Sequence, residues 1–328
     1  MIKMEDKLLK LQNLKTFFFM QAGVVRAVDG IDIEIDKGDF LGIVGESGCG
    51  KSVTALSIMR LITNPPGKII DGEIIFRGND LLQLTNEEMR KIRGNKISMI
   101  FQEPMTSLSP VSRIGSQISE AMIIHQNLSK KEALERSIEL LKLVEIPSPE
   151  VRVKEYPHQM SGGMRQRVMI AMALSCNPEL IIADEPTTAL DVTIQAQILA
   201  LMQRLKEEKG LTIILITHNL GIIAENSNKV IIMYAGKIVE KADVKALFVN
   251  PLHPYTRGLL RSVPRMDKRS KKKDRLDAIR GIVPSLLNLA PGCRFYERCD
   301  LSAKKCQEVE PELVVVDGGH MVSCWNYG

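Results

Sequence analysis

The amino-acid sequence predicts an α/β fold with a largely parallel sheet, because buried strands alternate with helices along most of the chain. Continuous apolar runs, which are typical of fully buried strands, lie at residues 40–44, 180–183 and 211–216. Helical patterns follow the first two of these runs, over residues 52–62 and 193–209, and Gly210 ends the second helix.

Weaker patterns fill in the rest of the sheet. Residues 31–35 alternate between isoleucine and acid, as a half-buried strand does, and residues 69–76 and 97–101 are further strand candidates. Residues 230–239 form two apolar runs around Ala235-Gly236, which predicts a hairpin.

The segment from about residue 103 to residue 165 changes character. Its strand signals disappear, and Ser129 followed by Glu132 forms a capping-box pattern at the start of an amphipathic helix. We expect a helical insertion between strands of the sheet.

Composition and charge argue against a nucleic-acid-binding protein and against a membrane-spanning one. The chain has 328 residues, 45% hydrophobic and 25% charged, with a net charge of +5, which is ordinary for a soluble globular protein. A basic run at residues 268–275 is interpreted as a solvated linker rather than a nucleic-acid site. No apolar stretch approaches the roughly 18–20 residues of a membrane span, so we expect a cytoplasmic protein or one held at a membrane by other subunits.

A glycine-rich motif follows the buried strand at residues 40–44 and precedes a helix. It matches G-x-x-x-x-G-K-[ST] and consists of Gly45, Glu46, Ser47, Gly48, Cys49, Gly50, Lys51 and Ser52. Such a loop wraps its backbone N–H groups around phosphate, while the lysine supplies a point charge and the serine a hydroxyl for Mg²⁺. Cys49 permits a redox interpretation, but a small side chain that fits the loop is the simpler one.

Two acids, Asp184 and Glu185, end the apolar strand at residues 180–183. Buried strands seldom end in paired carboxylates unless the charge is used. In a chain that also has a phosphate-binding loop, Asp184 is suited to bind Mg²⁺, directly or through water. Glu185 is suited to act as a general base that polarises the attacking water.

One further motif indicates a family. Residues 160–167 contain Ser161, Gly162 and Gly163 at the start of a helical pattern shortly before the acidic strand. This segment resembles the signature motif of ABC ATPases, although Met160 and Met164 stand where the family consensus has leucine and glutamine. Three single residues resemble the other family motifs in the family's order: Gln102 the Q-loop, Asp191 the D-loop and His218 the switch histidine.

The resemblance implies an ABC ATPase domain with a RecA-like parallel sheet core, an antiparallel β subdomain and a helical subdomain. It implies ATP and Mg²⁺ as cofactors and a dimer whose two sites are each composed of residues from both subunits. The implied catalytic residues are Lys51, Gln102, Glu185 and His218, and the implied Mg²⁺ ligands include Ser52 and Gln102. The implied nucleotide-binding residues are Phe18, Gly45, Ser47, Gly48, Cys49, Gly50, Lys51, Ser52, Val53, Gln102, Asp184 and, from the other subunit, Ser161 and Gly163. Phe18 is the preferred adenine-stacking residue, with Phe17 and Phe19 as neighbouring alternatives.

Four cysteines crowd into the last 36 residues of the chain: Cys293, Cys299, Cys306 and Cys324. Four thiolates can hold either zinc or an iron–sulfur cluster, and the absence of short C-x2–4-C pairs favours the bulkier cluster over zinc. The segment from Asn250 to Thr256, together with these cysteines, resembles the C-terminal extension of dipeptide and oligopeptide permease ATPases. That resemblance implies a [4Fe–4S] cluster on the four cysteines.

We therefore expect an ABC nucleotide-binding domain over residues 1–260 and a cysteine-bearing extension over residues 261–328. The expected function is to power a dipeptide or oligopeptide importer at the cytoplasmic face of the cell membrane, as a peripheral subunit. The expected partners are a second ABC ATPase subunit, two transmembrane permease subunits and an extracytoplasmic peptide-binding protein, with no nucleic acid. A nickel importer, a soluble ABC ATPase without a transporter and an electron-transfer module remain alternatives.

Overall fold

The structure is a computed structural model, and it describes residues 7–102, 107–188, 190–262, 279–287 and 289–327. The chain divides into two compact units. Of the described residues, the first unit contains Asp36–Asp39 and Leu81–Leu215, and the second contains the remainder. The predicted basic linker at residues 268–275 lies outside the described residues, as does part of the predicted helical insertion, residues 103–106.

The second unit contains an antiparallel sheet of four strands in the order β2-β1-β4-β5. These strands are β1 (Lys7–Met20), β2 (Gly23–Asp36), β4 (Gly67–Phe76) and β5 (Asn79–Asp80). The predicted strands at 31–35 and 69–76 are confirmed within β2 and β4. Strand β1 was not predicted, because its buried residues Leu9 and Leu11 do not keep one alternation with Leu14 and Thr16. A register shift between Gln12 and Lys15 breaks the period of two.

The same unit carries a second series of paired strands. Strand β3 (Phe40–Val44) runs parallel to β9 (Lys229–Tyr234), with Gly42 opposite Val230. Strand β9 forms the predicted hairpin with β10 (Lys237–Asp243), and β10 also pairs with β12 (His320–Val322). Strand β11 (Val314–Asp317) pairs with β12. The C-terminal extension therefore adds two strands to the series that contains the strand before the glycine-rich loop.

Short helices complete the second unit. They are α1 (Lys51–Ile58), α8 (Leu220–Asn226), α9 (Val244–Val249), α10 (Pro254–Ser262) and α11 (Lys304–Glu308). A helix was predicted to extend from residue 52 to residue 62, but α1 ends earlier. The chain turns at Arg60, whose φ of 50° lies in the left-handed region and cannot continue a right-handed helix.

The first unit contains the acidic strand and most of the helices. Strand β7 (Leu180–Asp184) runs parallel to β6 (Ile97–Ile100), and β8 (Thr212–Thr217) lies beside β7. The helices are α2 (Asn86–Ile92), α3 (Ile114–Gln126), α4 (Lys130–Leu143), α5 (Pro149–Arg152), α6 (Gly162–Leu174) and α7 (Val192–Lys209). The predicted helical insertion is confirmed for its described part, including the capping box of Ser129 and Glu132 on α4.

A partly exposed group of ion pairs links α6 and α7 to the end of α4 in the first unit. The Arg167 guanidinium on α6 donates to the Val144 carbonyl at 2.8 Å and to the Glu145 carboxylate at 3.0 Å, and Arg204 on α7 donates to the same carboxylate at 2.7 Å. These two arginines keep the pKa of Glu145 below its usual value.

No helix within the described ranges combines the length and the apolar composition that a membrane span requires.

Candidate nucleotide-binding and hydrolysis site

The glycine-rich loop connects β3 to α1 in the second unit, as the motif predicts. Strand β3 is buried at all five positions, which fixes the start of the loop in the core. Gly45, Cys49 and Gly50 are buried, whereas Ser47 and Gly48 are exposed and Ser52 and Val53 are half-buried. The tip of the loop, Ser47 and Gly48, therefore faces solvent just before the start of α1.

Two glycines are required by close backbone packing. Gly50 has a φ of 104°, and a Cβ there would overlap the carbonyl oxygen of Ala27. A Cβ at Gly45 would overlap the carbonyl oxygen of Met233 and come within 2.6 Å of the Cys49 sulfur. Only glycine fits either position, so the loop is held against two neighbouring strands of its own unit.

The N-terminus of α1 is suited to an anion. No side chain caps this helix, and its first turn carries no acidic residue. In contrast, α4, α6 and α7 are capped by Ser129, Ser161 and Asp191. Because the first N–H groups of a helix need acceptors, an uncapped N-terminus next to an exposed glycine loop fits phosphate groups.

Lys51 is buried inside the curve of the loop. Its ammonium donates to the carbonyl oxygen of Gly45 at 2.7 Å and to that of Glu46 at 3.0 Å. A buried ammonium needs such partners, and these two bonds hold the charge close to the loop backbone. The loop and Lys51 together fit the phosphates of a nucleotide.

Cys49 is fully buried beside Lys51. Burial raises the pKa of its thiol, and the nearby Lys51 ammonium lowers it only in part. A reactive cysteine needs an exposed and stabilised thiolate. This environment supports the interpretation of Cys49 as a small side chain that fits the loop.

The two acids of β7 lie at the end of the strand in the first unit. Asp184 is buried and ends β7, and Glu185 follows with a φ of 46° in the left-handed region. The Glu185 carboxylate accepts a hydrogen bond from the Thr188 hydroxyl at 2.8 Å and one from the Gln102 amide at 3.3 Å. The structure therefore brings together Gln102 and Glu185, which the sequence placed in separate motifs.

The signature segment forms the start of α6. The Ser161 hydroxyl caps the helix by accepting from the Met164 N–H at 3.3 Å, and Ser161 is exposed. A Cβ at Gly163 would lie 2.8 Å from a methyl group of Ile194, so a larger residue would force the Ile194 side chain to shift. Met160 is buried, which places one of the two departures from the family consensus in the core.

The remaining predicted residues lie at element ends. Asp191 caps α7 by accepting from the Ile194 N–H at 3.0 Å, and His218 is exposed just after β8. Phe18 is half-buried in β1, where its ring lies against Gly67, and Phe17 lies beneath the Arg26 guanidinium. Their roles toward a nucleotide stay predictions.

The four C-terminal cysteines line one small cavity in the second unit. All four are free thiols and half-buried. Burial raises the pKa of Cys293 to about 11, while a backbone N–H bond from Phe295 lowers it. The thiol pKa values of Cys299 and Cys324 are likewise raised by burial and lowered by backbone N–H bonds.

The geometry does not by itself define a metal site. Across the ranges that the structure describes, no three or more His, Cys, Asp or Glu side chains are arranged to hold one metal ion. Neither the expected [4Fe–4S] cluster nor the alternative zinc ion is therefore supported by the arrangement of the described side chains, and the four cysteines are thiols around one cavity.

Sequence comparisons identify two families that match different parts of the chain. The family described as "ABC transporter" matches residues 28–188, and the one described as "Oligopeptide/dipeptide transporter, C-terminal region" matches residues 239–306. The chain is 55% identical to the probable peptide ABC transporter ATP-binding protein y4tR of Sinorhizobium fredii, over 98% of this chain and 95% of that protein. It is 54% identical to the oligopeptide transport ATP-binding protein AppD of Bacillus subtilis, over 98% of this chain and 97% of that protein. Identity to the dipeptide transport ATP-binding protein DppD of Bacillus subtilis is 49%, over 98% of this chain and 95% of that protein.

Solved structures share the fold over nearly three-quarters of the chain. A dimeric bacterial ABC transporter cassette, MJ0796, superimposes with a TM-score of 0.65 at 31% identity, covering 72% of this chain and 98% of that one. The same cassette, in a post-hydrolysis dimer bound to ADP and phosphate, also gives a TM-score of 0.65, at 30% identity and with the same coverage.

The glycine-rich loop on α1 and the acids that end β7 are thus those of a P-loop ATPase of the ABC type, with mixed α/β sheets. The chain belongs to the family of ATP-binding subunits of dipeptide and oligopeptide ABC transporters.

Proposed function

We propose that this protein hydrolyses ATP to drive the import of dipeptides or oligopeptides through a membrane complex. The observation that carries the proposal is a P-loop ATPase site in a chain about half identical, over nearly its whole length, to peptide transport ATP-binding proteins. The protein would be a peripheral subunit at the cytoplasmic face of the membrane, bound to two permease subunits. An extracytoplasmic binding protein would deliver the peptide.

The hydrolysis site would be completed by a second ATPase subunit. Lys51 would hold the outer phosphates, with Mg²⁺ held by Ser52 and Gln102 and by Asp184 directly or through water. Glu185 would polarise the attacking water, a role that typically contributes about 10²–10⁴-fold. His218 would contact the γ-phosphate from the same subunit, and Phe18 would stack on adenine. The dimeric MJ0796 cassette supports a dimer, in which Ser161 and Gly163 would act from the opposite subunit.

Peptide stimulation of the assembled complex tests this function. The complex is purified with its membrane subunits, which are identified, and its ATPase rate is measured with di- and oligopeptides added through the binding protein. We expect peptides to raise the rate. Stimulation by Ni²⁺ but by no peptide would instead assign nickel as the cargo, and co-purification without any membrane subunit would point to a soluble ABC ATPase.

We also propose that Cys293, Cys299, Cys306 and Cys324 hold a [4Fe–4S] cluster with a structural role. Four thiols that line one small cavity support this proposal, because iron–sulfur clusters are held by cysteine thiolates. The cluster would anchor an extension that has little apolar core of its own.

Anaerobic purification tests the cluster. The protein should be brown, with broad absorbance and about four irons per chain, and replacing any one of the four cysteines by serine should bleach it. Replacing the buried Cys176 by serine is the matched control, since it lies outside the cavity and should leave the colour unchanged. Colourless protein with one stoichiometric zinc would favour the alternative metal, and metal-free, well-folded protein would contradict both.

A further inference from the structure

The phosphate-binding loop contains an acidic residue that the ATPase motif does not explain. Glu46 lies directly after Gly45, and its side chain is 29% exposed. A carboxylate in a loop that binds phosphate opposes the charge of the ligand. Something must offset that charge if the loop is to bind ATP tightly.

The offsetting charge comes from the C-terminal extension. Arg298, which immediately precedes Cys299, donates two parallel hydrogen bonds to the Glu46 carboxylate, at 2.6 and 2.9 Å. The Arg298 side chain is only 5% exposed, and it also donates to the Tyr234 hydroxyl at 3.2 Å and to the Arg280 carbonyl at 2.9 Å. A partly buried bidentate pair of this kind fixes both charge and orientation.

The backbone of Glu46 is held as well. Its N–H donates to the Tyr255 hydroxyl at 2.9 Å, and its carbonyl oxygen accepts from the Lys51 ammonium at 3.0 Å. The residue that links Gly45 to the exposed tip of the loop is therefore held at three points. One of them reaches the lysine that binds phosphate, so a shift of Glu46 would shift Lys51.

A second arginine of the extension supports the other side of the loop. Arg294 donates to the Asp29 carboxylate and to the carbonyl of Ala235, in the turn between β9 and β10. The next residue of that turn, Gly236, donates its N–H to the Cys49 carbonyl at 2.9 Å. The segment between the first two cysteines thus supports the loop at Glu46 and at Cys49.

The extension does not depend on Arg298 to stay attached. The Phe295 ring packs edge-on against Tyr234 at 5.2 Å and lies 5.4 Å from Tyr255. Farther along, the His320 ring bonds the buried Glu240 carboxylate on β10 at 2.7 Å, and β12 pairs with β10. Removing the Arg298 guanidinium should therefore change the loop without releasing the extension.

We propose that Arg298 is a positioning residue for ATP, which neutralises Glu46 and fixes the start of the phosphate-binding loop. Through it, the C-terminal extension sets the affinity of the ATPase for nucleotide. The proposal goes beyond the peptide-import function, since it concerns any ATP hydrolysis by this chain. It also holds whether or not the cysteines bind a metal.

The test is a charge-rescue cycle on the full-length protein in its membrane complex. Arg298→Ala should weaken ATP binding and raise KM on the order of tenfold, with a smaller change in kcat, because an uncompensated carboxylate then repels the phosphates. Arg298→Lys keeps the charge without the bidentate geometry and should give an intermediate affinity. The double variant Arg298→Ala/Glu46→Gln should recover most of the loss, since it removes the repulsion itself.

A control variant and a proteolysis experiment separate the effect of Arg298 from general damage to the extension. Arg261→Ala on α10 is the matched control, because Arg261 is exposed, bonds the Arg257 carbonyl and makes no contact with the loop. Limited proteolysis should show the extension intact in Arg298→Ala. Wild-type ATP affinity in Arg298→Ala, or a double variant no better than the single one, would overturn the proposal.

Discussion

Gly50 shows how strictly single residues define the phosphate-binding loop. Its φ of 104° is unfavourable for any other residue, and a Cβ would overlap the Ala27 carbonyl. We predict that Gly50→Ala distorts the loop and abolishes detectable ATP binding in equilibrium titration. The loop cannot relax easily, because the carbonyl it would have to displace belongs to the paired backbone of β2.

The matched control for this prediction is Gly38→Ala. Gly38 has a similar φ of 82°, but a Cβ there would meet no atom within 4 Å. Gly38→Ala should therefore lower the free energy of unfolding only by the conformational strain, of order 1–3 kcal/mol, and leave ATP affinity unchanged. Equal loss of ATP binding in both variants would contradict the close-packing argument.

Residue-level prediction from sequence succeeds where one motif contains the whole site. The loop residues from Gly45 to Ser52 are contiguous, so their placement before α1 follows from the sequence. The pairing of Glu46 with Arg298 joins residues 252 positions apart, and no local pattern marks either of them as a partner. Such a contact follows from strand pairing in the second unit, which the sequence does not reveal.

At the scale of elements, the strands and helices with an unbroken period were predicted well. Strands β3, β7 and β8 contain most of the predicted apolar runs, and α7 begins and ends within one residue of its predicted bounds. Strand β1 was missed because its bulge changes which side chains point inward. Strands β11 and β12 were not predicted: β12 has only three residues, and β11 is a short run of valines that is largely exposed.

Helix α6 gives an element-scale prediction about the composite site. Ser161 is exposed and caps the helix, so its hydroxyl has a local role besides the one proposed across the dimer. We predict that Ser161→Ala leaves ATP binding to the isolated subunit largely intact but lowers turnover of the assembled complex by at least tenfold. Equilibrium titration and steady-state ATPase rates measure the two effects.

The effect of losing a helix cap has to be distinguished from the effect of losing a contact across the dimer. Ser129→Ala removes the equivalent cap from α4 and should cost about 1 kcal/mol of stability with turnover unchanged. If Ser161→Ala abolished ATP binding by the single subunit, the signature would belong to the site of its own chain. If Ser129→Ala lowered turnover equally, the effect of Ser161→Ala would be attributed to helix stability.

At the scale of the whole molecule, the extension is part of the unit that contains the phosphate-binding loop. Residues 1–260 and 261–328 were expected to form separate domains, and that boundary stays a prediction. Within the second unit, however, β12 pairs with β10 and Arg298 bonds Glu46. Changes in the extension are therefore expected to reach nucleotide binding, which a separately folded appendage would not do.

Glu185 is proposed to drive the ATP hydrolysis that powers peptide import. The most direct measurement compares peptide uptake and ATPase rate in vesicles that contain the complete complex with wild-type protein or with Glu185→Gln. The glutamine keeps the size of the side chain and an acceptor for Thr188, but it is too weakly basic to polarise water. We predict retained ATP binding, a fall in turnover on the order of 10²-fold or more, and loss of peptide uptake. Near-normal uptake by Glu185→Gln would contradict the proposed role of Glu185. ATP hydrolysis by the wild-type complex without peptide uptake would contradict the peptide-import function.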